Sequence, residues 1–298
     1  MGQLRRVRIW ITGAAGFVGR RLAARLSAAG HAVIGVDREV EITDAPRVAR
    51  SLASARADAI VHLAAMSSQA GALREPTPAA RVNYWGTRAV LEAARCEAPN
   101  ARILLVTSGA VYGNSGAGAA PFRESDPLAP ATPYARSKAC ADLIAARYVE
   151  RGLDVVRVRP FNHTGPGQPP EFVAPAFARQ VAAIAAGKSA PRIAVGNLDS
   201  VRDFLDVDDV LDAYERLLDR GVPADVYNVA SGVGRRIGDL LDTLIELAGT
   251  RCAIEVDPAR VRPTDTAIGD ASRLRAVTGW QPRVPFVETL RRLLTAAA

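Results

Sequence analysis

Short apolar runs alternate along the first half of the chain with stretches whose apolar positions return at helical spacing. Val7 to Ile11 reads as a buried strand, followed by Gly13 to Gly19 and a helical pattern through Leu22, Leu26 and Ala29 that Gly30 stops. His31 to Val36 is a second strand ending at Asp37, and Ala59 to Leu63 a third. Val82 to Ala94 is helical, and Ile103 to Thr107 is a strand ending at Ser108. A Gly-, Ala- and Pro-rich loop from Gly113 to Pro133 leads to a helix over Tyr134 to Tyr148 and a strand over Val155 to Arg159. This order predicts an α/β protein with a parallel sheet covered by helices on both faces. Beyond Asn162 come Pro-rich loops, a helix near Ala176 to Ala186 and short elements. They predict a smaller second domain over 166–298, interleaved with the last part of the sheet, after a first domain over 1–165.

Composition narrows the class only a little. The 298 residues are 49% hydrophobic, and no apolar run approaches the ~20 residues that span a membrane. The apolar stretch Val7 to Ile11 is too short for a signal peptide core, and Arg6 stands where a myristoylation site needs Ser or Thr. A cytoplasmic protein without membrane contact is expected. Cys96, Cys140 and Cys252 fit neither a metal site nor a disulfide framework, so free thiols and no metal are expected. The net charge of +7 comes almost wholly from arginines scattered among acids. That suits attraction of a pyrophosphate better than nucleic-acid binding. Lys138 and Lys188 are the only lysines.

Gly13, Gly16 and Gly19 sit between a strand and a helix. Glycines there allow a tight turn and close approach of the backbone to a pyrophosphate. With Phe17 and Val18 they open a helix whose free N–H groups and dipole favour an anion. Asp37, at the end of the second strand, can accept hydrogen bonds from ribose hydroxyls, which favours NAD. Arg38 can stack on adenine or pair with a 2′-phosphate, so NADP stays possible. Gly187-Lys188-Ser189 is not a phosphate loop, because Ala182 replaces the required glycine.

Tyr134 and Lys138 are one helical turn apart and share a face. A lysine cation beside a phenol is expected to lower the phenol's pKa, and Tyr134 can then exchange a proton with a hydroxyl or carbonyl. Lys138 can also bond the nicotinamide ribose. Ser108 ends a strand at the carboxyl edge, where ligands bind in such sheets, and can hold the reacting oxygen. Ser108, Tyr134 and Lys138 are therefore the candidate catalytic residues.

These motifs together resemble the extended short-chain dehydrogenases, the NAD-dependent epimerase/dehydratase group, over nearly the whole chain. The resemblance implies a Rossmann-type doubly wound sheet with a smaller C-terminal substrate domain, binding a nucleotide-diphosphate sugar. It places Glu41 and Ile42 beside adenine, Leu63, Ala64 and Ala65 beside the pyrophosphate, and Phe161 at the cofactor. On the substrate side it implies Ser67, Asn162, His163, Val173, Asn197, Arg202, Arg262 and Asp265. The two arginines suit phosphate oxygens bidentately. His163 is equally a structural residue on its own chemistry. The segments FNHTGPGQ and VGNLDSVRDF resemble the GDP-6-deoxy-mannose reductase branch and favour a GDP-sugar. A homodimer through Val82 to Ala94 and Tyr134 to Tyr148 is also implied.

Ala110 decides part of the reaction. The group's 4,6-dehydratases carry Glu there, and a methyl group moves no proton, so dehydration is not expected. Asp37 and Ala110 favour an NAD-dependent nucleotide-sugar 4-epimerase. The alternative is NAD(P)H-dependent reduction of a 4-keto-sugar nucleotide. A non-catalytic dinucleotide-binding regulator fits less well, since both Tyr134 and Lys138 are present.

Overall fold

The computed structural model describes residues 6–116, 118–261 and 264–298, without the side chain of Arg260. Residues 1–5, which precede the apolar stretch read against a signal peptide, lie outside the described residues. The chain opens with β1 (Arg8–Thr12), α1 (Phe17–Ala28), β2 (Ala32–Val36), α2 (Ala45–Ala55) and β3 (Ala59–His62). Two short helices follow, α3 (Gln69–Arg74) and α4 (Pro76–Ala80), then a π-helical turn over Arg81–Gly86 that runs into α5 (Thr87–Glu97). Next come β4 (Arg102–Val106), α6 (Pro133–Val149), β5 (Val155–Pro160) and β6 (Asn162–Thr164). The remainder is α7 (Val173–Ala185), β7 (Arg192–Val195), β8 (Val201–Asp206), α8 (Val207–Arg220), β9 (Val226–Val229), β10 (Gly234–Arg236), α9 (Ile237–Ala248), β11 (Ala253–Val256), β12 (Thr266–Ala267), α10 (Ser272–Thr278) and α11 (Phe286–Ala297).

Strand β1 shows why the sheet is covered on both sides. Successive side chains point to opposite faces. Ile9 and Ile11 enter one core with Leu22, Leu26 and Tyr214, while Trp10 enters the other with Val48, Leu52 and Val90. The main sheet is six-stranded in the order β2-β1-β3-β4-β5-β9. All of its pairings are parallel, the doubly wound pattern expected. The order reverses at β1, so the crevice beyond its carboxyl end is where ligands bind in such sheets.

The C-terminal half supplies β9 to this sheet and otherwise builds the smaller domain. There β8 pairs with β10, β12 and β6, and β11 pairs with β7. Helices α7, α9 and α11 cover them around Phe177, Val181, Phe204, Leu241 and Leu290. No helix of the described residues is long and apolar enough to cross a membrane.

Two local features differ from the sequence reading. Helix α2 lies in a segment for which the sequence reading named no element. Asp44 caps it by accepting from the N–H of Arg47 at 3.0 Å, and it buries only Val48 and Leu52. The helix expected from Val82 begins instead as a π turn. Its Asn83 side chain turns inward, accepting from Met66 N at 2.8 Å and donating to Met66 O at 3.1 Å and to Ser137 Oγ at 2.8 Å. Those bonds tie the turn to the segment after β3 and to α6.

Candidate active site

One cleft of about 1850 Å³ runs along the carboxyl edge of the main sheet and into the smaller domain. It exceeds the ~300–1,000 Å³ of a small-molecule pocket and suits two extended ligands. Every candidate residue named above lines it except Arg262, which lies outside the described residues.

The first wall is the loop after β1. Gly13 has φ +71°, and a Cβ there would sit 2.8 Å from Ala64 N. A Cβ at Gly19 would sit 2.0 Å from the carbonyl oxygen of Gly13. Only glycines allow the chain to fold this tightly onto the segment Leu63 to Ala64. Helix α1 starts at Phe17 with no side-chain cap, so its first N–H groups face the cleft. This cradle fits a pyrophosphate, and hence a nicotinamide dinucleotide. Asp37 lies at the end of this wall but has a second task. Its Oδ2 accepts from Ala15 N at 3.0 Å and its Oδ1 from Arg38 N at 3.0 Å. The carboxylate pins the loop, while each oxygen retains acceptor capacity for a ribose hydroxyl.

Beneath the loop lies a buried chain that the sequence reading missed. His62 Nδ1 meets Thr12 Oγ1 at 2.7 Å, and Nε2 meets Thr87 Oγ1 at 3.0 Å. Thr87 donates to Asn83 O at 2.7 Å, so it accepts from His62 Nε2–H. Thr12 Oγ1 accepts from Ala64 N at 3.1 Å, and its proton goes to Nδ1. The ring is thereby held as one neutral tautomer. Burial, helped by the Lys138 charge, holds the His62 pKa down at about 3.

Ser108, Tyr134 and Lys138 converge on the cleft. Ser108 caps the short turn Gly109–Tyr112, its Oγ accepting from Ala110 N at 3.1 Å. Thr132 caps α6 by accepting from Ala135 N at 3.2 Å, and Pro133 opens the helix, which sets Tyr134 in the first turn. Lys138 Nζ donates to Val106 O at 3.0 Å. The Tyr134 phenol departs from expectation. Burial raises its pKa above the ordinary tyrosine value, and a hydrogen bond with the Ser108 hydroxyl only partly opposes the shift. Lys138 is buried too, and desolvation lowers its own pKa to about 8. Tyr134 is therefore a protonated phenol at neutral pH.

The substrate side is organised by contacts from α1. Arg20 Nη2 donates to Gly167 O at 2.9 Å, and Arg21 donates to Pro166 O. The Phe17 ring stacks on His163 with centroids 6.5 Å apart and planes 8° apart. His163 Nδ1 donates to Phe161 O at 3.1 Å, and burial lowers its pKa, so its ring is neutral with Nε2 free to accept. Asn162 is exposed on the cleft.

Arg202 is less free than expected. It donates through Nη1 to the carbonyls of Val201 and Asp265, both at 3.0 Å, and through Nη2 to the Asp265 carboxylate. Both residues face the cleft, where they form an ion pair. Asn197 Nδ2 donates to Thr264 Oγ1 at 2.8 Å. Neighbouring Asp203 turns away from the cleft. It is fully buried and accepts from Ser231 N, Ser231 Oγ, Gly232 N and Gly269 N, so it ties β8 to the loop after β9.

Known proteins resemble this chain in sequence and fold. The profile described as GDP-mannose 4,6 dehydratase matches residues 38–293. The GDP-6-deoxy-D-mannose reductase of Pseudomonas aeruginosa is 37% identical over 97% of this chain and 96% of its own length. The UDP-glucose 4-epimerase of Mycolicibacterium smegmatis is 31% identical over 96% of this chain and 97% of its own. The solved structure of RMD from Pseudomonas aeruginosa complexed with NADPH superposes with a TM-score of 0.91 at 35% identity, covering 98% of each chain.

Proposed function

The chain belongs to the GDP-mannose 4,6 dehydratase family of NAD(P)-dependent nucleotide-sugar enzymes, and from that premise we propose that it reduces the 4-keto group of a GDP-linked 6-deoxy sugar with NAD(P)H. The observation that carries this reading is the agreement of sequence and fold on one kind of relative, the GDP-6-deoxy-D-mannose reductase, over almost the whole of both chains.

The chemistry of the cleft supports the same direction. When bound, the reduced dinucleotide supplies a hydride to sugar C4. The carbonyl π bond breaks, and its oxygen takes the phenolic proton of Tyr134. A phenol kept protonated by burial is a ready acid for that step. Ser108 donates to the same oxygen and holds it in line. The Lys138 ammonium, one turn along α6, offsets the phenolate left behind. Ala110 moves no proton, and this reaction needs none there. Phe17 and Val18 at the start of α1 take the pyrophosphate. Asn162, His163 and Asn197 take the sugar diphosphate, and the Arg202–Asp265 pair lines its path.

The 4-epimerase is the second reading. Its support is the full-length UDP-glucose 4-epimerase relative and the acid at Asp37. Asp37 is a weak discriminator, because its carboxylate already serves the Gly-rich loop. Net oxidation of NADPH or NADH by a GDP-4-keto-6-deoxy sugar separates the two. The reductase oxidises one cofactor per sugar. Sugar turnover with no net oxidation would reject it.

The Lys138 charge gives the reaction a pH limit. The ammonium is present below its pKa of about 8 and is lost as pH rises through that value. Tyr134, raised by burial, stays protonated over the same range. kcat/KM for the cofactor should therefore fall about tenfold per pH unit above that point. A level profile to pH ~10, the ordinary lysine range, would show that the ammonium is not required.

A further inference from the structure

Tyr214 is a phenol that the reaction above does not use. It lies on α8, is only 1% exposed, and forms part of the cleft wall. Its hydroxyl makes no hydrogen bond to any described residue. Among the described residues, the side-chain polar atoms that are both sealed and unpartnered belong to His31, Asp154, Arg157 and Arg235. The Tyr214 oxygen is not one of them, so the sliver of this residue that is open is its hydroxyl at the cleft. A phenol drawn out of water without a partner costs free energy, unless a ligand supplies one.

The place of Tyr214 narrows the ligand. Helix α8 packs on α1, β4 and β5. Strands β4 and β5 lie toward the opposite side of the sheet from β2, whose end carries Asp37. Tyr214 thus comes from a helix packed on the β4 and β5 side of the sheet, and it shares the cleft with Tyr134. Burial raises its pKa, and the nearby Tyr134 adds to the shift, so it remains a phenol. Helix α1 carries the pyrophosphate cradle on this same face of the sheet, whereas the nucleotide-sugar residues Asn197, Arg202 and Asp265 come from the smaller domain. Tyr134, Ser108 and Tyr214 line the same cleft as the start of α1.

We propose that the Tyr214 hydroxyl binds the nicotinamide carboxamide and so fixes the rotation of the ring against the sugar. A carboxamide offers both a carbonyl acceptor and N–H donors, either of which a phenol can satisfy. The proposal rests on the cleft being a nicotinamide dinucleotide site, and it holds for either direction of the reaction.

Tyr214→Phe removes one oxygen and no packing. Because that oxygen has no protein partner, the thermal midpoint of the ligand-free protein should stay the same or rise. NADPH should bind about tenfold more weakly, the worth of one buried hydrogen bond. Its fragment 2′-phospho-ADP-ribose, which lacks the nicotinamide, should bind the variant and the wild type equally. Calorimetric titration of the two ligands reads both quantities, with NADH and ADP-ribose as the matching pair. Unchanged NADPH affinity would overturn the proposal. So would equal weakening for both ligands, a lowered thermal midpoint, or an effect confined to the KM of the nucleotide sugar. If the wild type bound neither ligand, the cofactor assignment of the cleft itself would fail.

Discussion

Tyr134→Phe is expected to lower kcat by ~10²–10⁴-fold, the usual contribution of a positioned general acid. Affinities for cofactor and nucleotide sugar should hardly change. The substitution removes one oxygen from a buried ring and keeps the aromatic packing of Tyr134 with Ala72 and Ala79. Its effect should therefore fall on kcat and kcat/KM together, the mark of an interaction made in the transition state. Steady-state rates and direct titration of both ligands check this. A variant that kept wild-type kcat would remove Tyr134 from the chemistry, and with it the role given to Lys138.

Asp142→Ala is expected to destabilise the fold by ~3–5 kcal/mol, the cost of breaking a buried ion pair from one side. Asp142 lies on α6 one turn beyond Lys138 and is fully buried. It accepts from Arg159 Nε at 2.8 Å and Nη2 at 2.9 Å, from Arg157 Nη1 at 3.1 Å, and from Thr107 Oγ1 at 3.2 Å. Arg159 also donates to the Tyr112 hydroxyl at 2.8 Å, which in turn donates to Asn228 Oδ1 at 2.8 Å. The cluster joins the helix that carries Tyr134 and Lys138 to β5 and β9. Removing the carboxylate leaves buried guanidinium groups without their anion. Replacing both Asp142 and its most buried partner, as in Asp142→Leu with Arg159→Met, should recover part of the loss, because only the less buried Arg157 then lacks its anion. Urea unfolding of the single and double variants measures the difference. A single variant within ~1 kcal/mol of wild type, the range of an exposed pair, would mean that the cluster contributes little.

The parts of the site that were legible in the sequence are those whose function depends on neighbours along the chain. Gly13, Gly16 and Gly19 announce a tight turn into a helix. Tyr134 and Lys138 share a helical face by spacing alone. Ser108 and Asp37 end apolar runs, and both lie at the carboxyl edge of the sheet. What was not legible depends on contacts between distant positions. Asp142 and Arg159 read singly as surface charges, and their pairing appears only when α6 lies on β5. Tyr214 reads as one more apolar position of an amphipathic helix. Helix α2 was missed because its apolar face is mostly alanine, with only Val48 and Leu52 buried.

The same distinction explains why the sequence favoured epimerisation. Asp37 was read as a ribose acceptor and hence as a sign of NAD. Its carboxylate also holds the loop backbone through Ala15 N, a task that is the same whichever dinucleotide binds. Ala110 excludes an acid at one place, but neither epimerisation nor reduction needs one there. The expected lowering of the Tyr134 pKa treated Lys138 as a charge in open solvent. In the folded protein both groups are buried: desolvation raises the Tyr134 pKa and lowers that of Lys138, and what opposes the Tyr134 shift is the Ser108 hydroxyl rather than the lysine.

The central claim is a one-way hydride transfer to a 4-keto sugar, and following the hydride tests it most directly. The enzyme would be given a GDP-4-keto-6-deoxy sugar and NADPH carrying deuterium at the transferred position, and the product read by mass spectrometry and NMR. Reduction predicts one deuterium at C4 of every product molecule and one NADP⁺ formed for each. Interconversion of 4-hydroxy sugars with the label retained on the cofactor, and no net NADP⁺, would contradict it.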